Sequence, residues 1–265
     1  MIDNRWALIL GASSGFGSAC CVALARAGMH IFGVHLDRRA TMPNVERVIA
    51  ETEAAGRRAV FFNANAADAD KRREILQQIE AIFRVSNDTE GVRVLLHSLA
   101  FGTLKPFVAE SAPDSIKDTD MDMTLDVMAH SLVYWTRDLV LSNMMTRGAR
   151  IFAMTSSGGH RVWRSYGAIS AAKAALESHI RQLAFELAPR GISANALRAG
   201  VTDTPALRKI PGNETMVERA LSMNPGKRLT TPEDVAAALV ALCQPGIEWM
   251  TGNVLGVDGG EDITG

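Results

Sequence analysis

Two tyrosines, three cysteines and a formal net charge of −1 in 265 residues set the first limits on this chain. The cysteines, Cys20, Cys21 and Cys243, are odd in number and lack metal-ligand spacing. That argues against a disulfide framework and fits reduced thiols packed as small apolar groups. Near-neutral charge gives no electrostatic footprint for nucleic acid or for an anionic membrane. Long hydrophobic runs are also missing. The first, Trp6 to Leu10, stops after five residues at a glycine turn; it is too short for a signal peptide or for a span, which takes ~20 apolar residues. His, Cys, Asp and Glu form no metal-binding pattern, so no metal site is expected. A soluble, cytoplasmic protein is the expectation.

What is present is an alternation. Apolar runs of strand length, "RWALIL", "HIFGVHL", "RAVFFN", "GVRVLLHS", "ARIFAMTS", "GISANAL" and "GNVLGVD", are separated by longer segments of helical period. Val45, Val48 and Ile49 carry that period in one segment, and Ile75, Leu76, Ile79 and Phe83 in the next, and a long helix is expected within 120–147. Continuous apolar strands, each followed by a helix, predict a parallel sheet covered on both faces. The fold class is therefore α/β: a doubly wound, Rossmann-like sheet of about seven strands, whose ligands bind beyond the carboxyl ends of the strands. No repeat or linker interrupts residues 1–265, so one catalytic domain is expected. Its stretch 204–227 lacks clean periodicity, holds three prolines and reads as a cover over the site.

The first strand leads into "LGASSGFGSA" at 10–19. Glycines there allow a tight turn and close approach to a diphosphate, and the following helix offers N–H donors and positive dipole. Gly11, Ser13, Ser14, Gly15, Phe16 and Gly17 are the expected cradle. A second constellation is "RSYGAISAAKAAL" at 164–176, where Tyr166 precedes Lys173 by seven places. On a helix both would face one way, roughly 10 Å apart along the axis. A phenol titrates at about 10, and a nearby ammonium favours its charged form.

The glycine spacing G-x-x-x-G-x-G, "NAN" at 63–65, "LLHSLA" at 95–100, the Tyr–Lys pair, "AGVTDT" at 199–204 and "GVDGG" at 256–260 occur in the order of the short-chain dehydrogenase/reductase family, which the chain resembles along nearly its whole length. The resemblance implies a nicotinamide dinucleotide. Asn65 and Ala66 would lie by the adenine, Ser98 and Ala100 in the strand-four loop near the ribose, and Val201 and Thr204 at the nicotinamide. An NAD site usually ends its second strand in a carboxylate for the ribose 2′-OH. Here His35 holds that place, with Arg38 and Arg39 beyond it, and arginine suits a 2′-phosphate. NADPH is expected, with NADH the alternative, because Asp37 could pair with the arginines or take a 2′-OH.

Spacing separates two branches of the resembled family. Ketone and alcohol members carry Tyr-x-x-x-Lys, which would put tyrosine at 169, where this chain has Ile169. Tyr-x6-Lys resembles the enoyl-acyl-carrier-protein reductases, as does "LLHSLAF". The helix asparagine that relays protons in ketone reducers falls at Met128. The resemblance implies NADPH-dependent reduction of the carbon–carbon double bond of a trans-2-enoyl thioester, on acyl-carrier protein or coenzyme A, in fatty acid synthesis. Tyr166 would donate to the thioester carbonyl, where enolate charge develops, and Lys173 would hold the nicotinamide ribose. Ser156, ten residues before Tyr166, is also what ketone reducers use, so a carbonyl or 3-oxoacyl reductase is the alternative. A non-catalytic dinucleotide-binding regulator is a third reading. The resemblance further implies a homo-oligomer, a tetramer. His160 is a candidate substrate contact, and Trp163 and Phe101 line either an acyl pocket or the core.

Overall fold

In the computed structural model, which describes residues 5–86 and 91–264, seven strands form one sheet in the order β3-β2-β1-β4-β5-β6-β7, every neighbouring pair parallel. The strands are β1 Trp6–Leu10, β2 His30–His35, β3 Ala59–Asn63, β4 Val92–His97, β5 Arg150–Ser156, β6 Ser193–Ala199 and β7 Val254–Val257. The helices are α1 Gly15–Arg26, α2 Met42–Ala54, α3 Ala69–Ser86, α4 Asp118–Leu125, α5 Ser131–Leu141, α6 Gly167–Leu187, α7 Asn213–Met223 and α8 Pro232–Leu242. The order reverses between β1 and β4, opening a crevice at their carboxyl ends.

Side-chain alternation along β1 builds both layers. Trp6, Leu8 and Leu10 enter one core with Ile79 of α3, Leu132 and Trp135 of α5, and Leu176 and Ile180 of α6. Ala7 and Ile9 enter the other, with Cys20, Cys21 and Leu24 of α1, Val48 of α2, and Val235 and Leu239 of α8. The buried cysteines thus pack as apolar residues, and burial raises their thiols well above the ordinary range. Termini follow local chemistry. Asp68 Oδ1 accepts from the Asp70 and Lys71 N–H groups as α3 opens, and Thr231 forms a capping box with Asp234 ahead of Pro232 at α8. None of the described helices is long and apolar enough to cross a membrane.

Two segments differ from the sequence expectation. The long helix expected within 120–147 is three pieces, because Asp126–His130 between α4 and α5 forms a π-helical turn. The stretch 204–227 contains helix α7, which aperiodicity and proline had hidden. Its Met216, Ala220 and Met223 stand at i, i+4 and i+7 and face a cavity, so the apolar stripe is short.

Candidate active site

The glycine loop is built for close approach. Gly11 has φ +90°, and a Cβ there would stand 2.4 Å from the Ser98 carbonyl oxygen. A Cβ on Gly17 would lie 1.9 Å from the Gly11 oxygen, so helix α1 packs on the loop through bare backbone. Ser14 is the N-cap of α1 but makes no side-chain cap bond; the first helical N–H groups keep their donors for an anion. This cradle, with its bare backbone and open helix end, fits a dinucleotide diphosphate.

The residues expected at the adenosine end gather at the tips of β2 and β3. Asn63 and Asp37 lock two loops, with the Asp37 N–H donating to Asn63 Oδ1 at 3.1 Å and Asn63 Nδ2 to the Asp37 oxygen at 2.9 Å. The Asp37 carboxylate does not pair with Arg38 or Arg39, which are exposed. It meets His35 Nδ1 at 3.0 Å and is 10% exposed. Burial raises its pKa, but hydrogen bonds from Thr41, from Ser13 of the glycine loop and from His35 outweigh that and hold it below the usual range. A permanent negative charge therefore sits against the loop. Asn65 is exposed and its Oδ1 accepts from the Ala67 N–H at 3.0 Å. The Ala66 carbonyl accepts from Trp135 Nε1 at 2.8 Å, which ties this loop to α5.

From the crevice a cavity of about 660 Å³ runs under α7, lined by Phe16, Ser98 and Ala100 at one end and by Tyr166, Lys173 and Ile169 at its floor. Its size and mostly apolar wall match a small-molecule site. Val201 and Thr204 line it as well. The Val201 N–H, however, already donates to the buried Glu261 carboxylate, at 3.2 and 3.1 Å from its two oxygens. Glu261 and Thr202 also line the cavity; Thr202 lies within "AGVTDT" with no role expected of it, and Glu261 falls just past "GVDGG". Phe101, 62% exposed, is cavity wall rather than core. Trp163 also lines the cavity and donates from Nε1 to the Pro211 oxygen at 3.3 Å, joining the loop before α6 to the segment before α7. His160 Nε2 is engaged by Asp262 at 3.0 Å.

Tyr166 is not on the helix. It is the N-cap of α6, with φ −98° and ψ 3°, and Ser165 before it has φ 60°, a left-handed conformation costing a serine roughly 1–2 kcal/mol. Strain is thus stored where the phenol is aimed. Tyr166 stands at the head of α6 and Lys173 within it, and both line the same cavity. The ring packs on the 157–159 turn: a Cβ on Gly158 would stand 2.6 Å from Tyr166 Cε1 and 3.2 Å from Ser156 Oγ. Burial raises the phenol above its ordinary pKa, and the adjacent Ser156 hydroxyl offsets only part of the rise. What remains is a protonated hydrogen-bond donor.

Lys173 is 7% exposed and donates from Nζ to the Met154 oxygen at 2.7 Å. Burial pushes it down to about 8, against an opposing pull from Glu177. An ammonium has three donors, so two remain beside the cavity. Met128, in the π turn, and Ile169 close the same floor as apolar groups.

The family described as enoyl-(acyl carrier protein) reductase matches residues 11–261. The 1-cyclohexenylcarbonyl-CoA reductase of Streptomyces collinus is 30% identical over 97% of this chain and 86% of its own length. The 3-oxoacyl-[acyl-carrier-protein] reductase of Thermotoga maritima is 25% identical over 98% of each chain. The solved NADH enoyl-[acyl-carrier-protein] reductase of Aquifex aeolicus superposes with a TM-score of 0.85 at 24% identity, over 100% of this chain and 98% of that one, a likeness of fold. The chain thus belongs to the family whose model is described as enoyl-(acyl carrier protein) reductase, and is an oxidoreductase of the short-chain dehydrogenase/reductase family.

Proposed function

We propose that this protein reduces the carbon–carbon double bond of a 2-enoyl thioester. The observation that carries the reading is the cavity floor. It presents one protonated phenol, Tyr166, and apolar Ile169 and Met128 where a ketone reducer needs its tyrosine and its relay asparagine. A nicotinamide held by the glycine loop and Lys173 would supply hydride to the β-carbon. The phenol donates a hydrogen bond to the thioester oxygen as enolate charge builds there, its raised pKa keeping the proton on the phenol, and the α-carbon then takes its proton from solvent. Lys173 holds the ribose with its remaining donors and adds positive charge. The apolar wall of Met216, Ala220 and Met223 receives the acyl group beneath α7, which acts as a cover. The S. collinus relative's name, which specifies an unsaturated CoA thioester, supports the same chemistry.

The Asp37 carboxylate turns the cofactor preference from NADPH toward NADH. Held at the glycine loop by Ser13 and His35, it accepts a 2′-OH and repels a 2′-phosphate, whereas Arg38 and Arg39 remain in solvent. Either an acyl-carrier protein or coenzyme A would serve as the carrier. A role in fatty acid synthesis, a cytoplasmic homotetramer and a single domain belong to the same proposal, on family likeness.

A second reading, reduction of a 3-oxoacyl thioester, is favoured by one observation: Ser156 Oγ is buried beside the phenol and lowers its pKa against the effect of burial. Following nicotinamide absorbance with crotonyl-, cyclohexenylcarbonyl- and acetoacetyl-CoA separates the two. Turnover of either enoyl substrate is expected. Turnover of acetoacetyl-CoA alone would replace the first reading with the second.

A further inference from the structure

One partly buried carboxylate beside the site has no part in the chemistry above. Glu177 lies one helical turn beyond Lys173 on α6, and residues four apart share a helix face. Its Oε1 accepts a 2.7 Å hydrogen bond from Thr155 Oγ1, and Thr155 immediately precedes Ser156 on β5. Gly159 closes over the pair: a Cβ there would stand 3.2 Å from Glu177 Oε1 and 3.5 Å from Lys173 Cβ. The carboxylate therefore joins the end of β5, the 157–159 turn and α6, the three pieces that carry Ser156 and Lys173. A buried ammonium with no counter-charge is costly to hold.

We propose that Glu177 is a positioning residue of this site, pinning the Ser156 turn to α6 through Thr155 and supplying the counter-charge for the buried Lys173 ammonium. The proposal rests on the reading of Lys173 as a cofactor-holding group. Among the described residues, the titratable groups around Lys173 come from several elements. His97 faces it from β4, buried and pushed down to about 3, hence neutral. Tyr166 and Glu261 line the same cavity from the cap of α6 and the C-terminal turn. Glu177 is the group that opposes the effect of burial on Lys173. Without its charge, the ammonium loses its proton at a lower pH.

The test uses the full-length protein as wild type, Glu177→Gln and Thr155→Val. NADH binding is titrated by nicotinamide fluorescence from pH 6 to 10, with thermal melts and initial rates on an enoyl-CoA beside it. In Glu177→Gln the pH at which NADH affinity falls is expected to drop by about one unit, which weakens binding about fivefold at pH 8. Thr155→Val keeps the charge, so it is expected to keep the wild-type binding limb and to lose turnover. A wild-type binding limb in Glu177→Gln overturns the counter-charge. Wild-type turnover in Thr155→Val overturns the pin, and carries the test alone if the glutamine variant does not fold. The limb is read from cofactor binding, so it moves even if enoyl thioesters are not the substrate. Failure of the enoyl reading therefore shows separately, as a wild-type protein that binds NADH and leaves enoyl-CoA unreduced.

Discussion

His97 Nε2 and Ser131 Oγ meet at 2.8 Å across 34 residues, and the Ser131 hydroxyl donates onward to the Val127 oxygen at 2.8 Å. With the hydroxyl hydrogen committed, Nε2 is the donor, so the imidazole is the neutral Nε2–H tautomer. This bond ties the end of β4 to the π turn that presents Met128. Burial, then the Lys173 charge, pushes His97 from 6.5 to about 3. As pH falls through that window the unfolded chain binds a proton that the folded chain refuses, so stability is lost from about 6.5 downward. Urea midpoints measured from pH 7 to 4 should therefore fall more steeply for wild type than for His97→Gln. Parallel curves would remove His97 from the acid limb.

The phenol is predicted to act as a donor. Tyr166→Phe should lower kcat for an enoyl thioester by about 10²–10³-fold while NADH affinity stays within about twofold. Because burial raises the Tyr166 pKa, wild-type activity should show no loss from phenol ionisation up to pH 9. Single-turnover traces of hydride transfer check both; a phenylalanine variant at full rate would leave the phenol without a role.

Cofactor choice should move with one carboxylate. Asp37→Ser is expected to raise the ratio of NADPH to NADH efficiency by about tenfold or more, because a like charge facing a phosphate is removed. Substituting Arg38 and Arg39 together by alanine should change the NADH figure little. Were the arginine pair to decide the ratio instead, the original expectation of NADPH would return.

Lys173 is held at a cost to the fold. Its pKa is about 8 when folded, against 10.5 for an ordinary lysine. Between those values the unfolded chain binds the proton and the folded chain does not, so the contribution of this group to stability improves as pH rises. Lys173→Met should melt above wild type at pH 7, with the gap closing toward pH 10, and should lose cofactor affinity throughout. Calorimetry at the two pH values measures the gap, and an unchanged gap would contradict the assigned shift.

The strands were legible because parallel strands buried on both faces leave uninterrupted apolar runs, and Trp6–Leu10 and Arg150–Ser156 lie within a residue of where the sequence puts them. The glycine cradle was legible for a similar reason, since close backbone approach tolerates no Cβ at Gly17. Contacts between distant segments were not. Nothing local tells that Thr155 reaches Glu177, that Glu261 occupies the Val201 N–H, or that Asp37 turns to Ser13 and away from its neighbouring arginines. The Lys173-to-Glu177 spacing of four was visible, and its meaning was not until β5 was placed beside it. Helix α7 went unseen because its apolar face looks into a cavity and so carries too few apolar residues to register.

The placement of Tyr166 at the cap of α6 has a consequence for how this site can change. A phenol at 166 is aimed by the loop before the helix, through strained Ser165 and the Gly158 contact. A phenol at 169 would be aimed by the first helical turn, and Ile169 already borders the same chamber. The chamber thus offers two addresses for one functional group, three residues apart on a continuous chain. Trading one for the other requires two substitutions and no rebuilding of the scaffold, which makes Tyr166→Phe with Ile169→Tyr the shortest route by which double-bond and carbonyl chemistry could exchange on this fold.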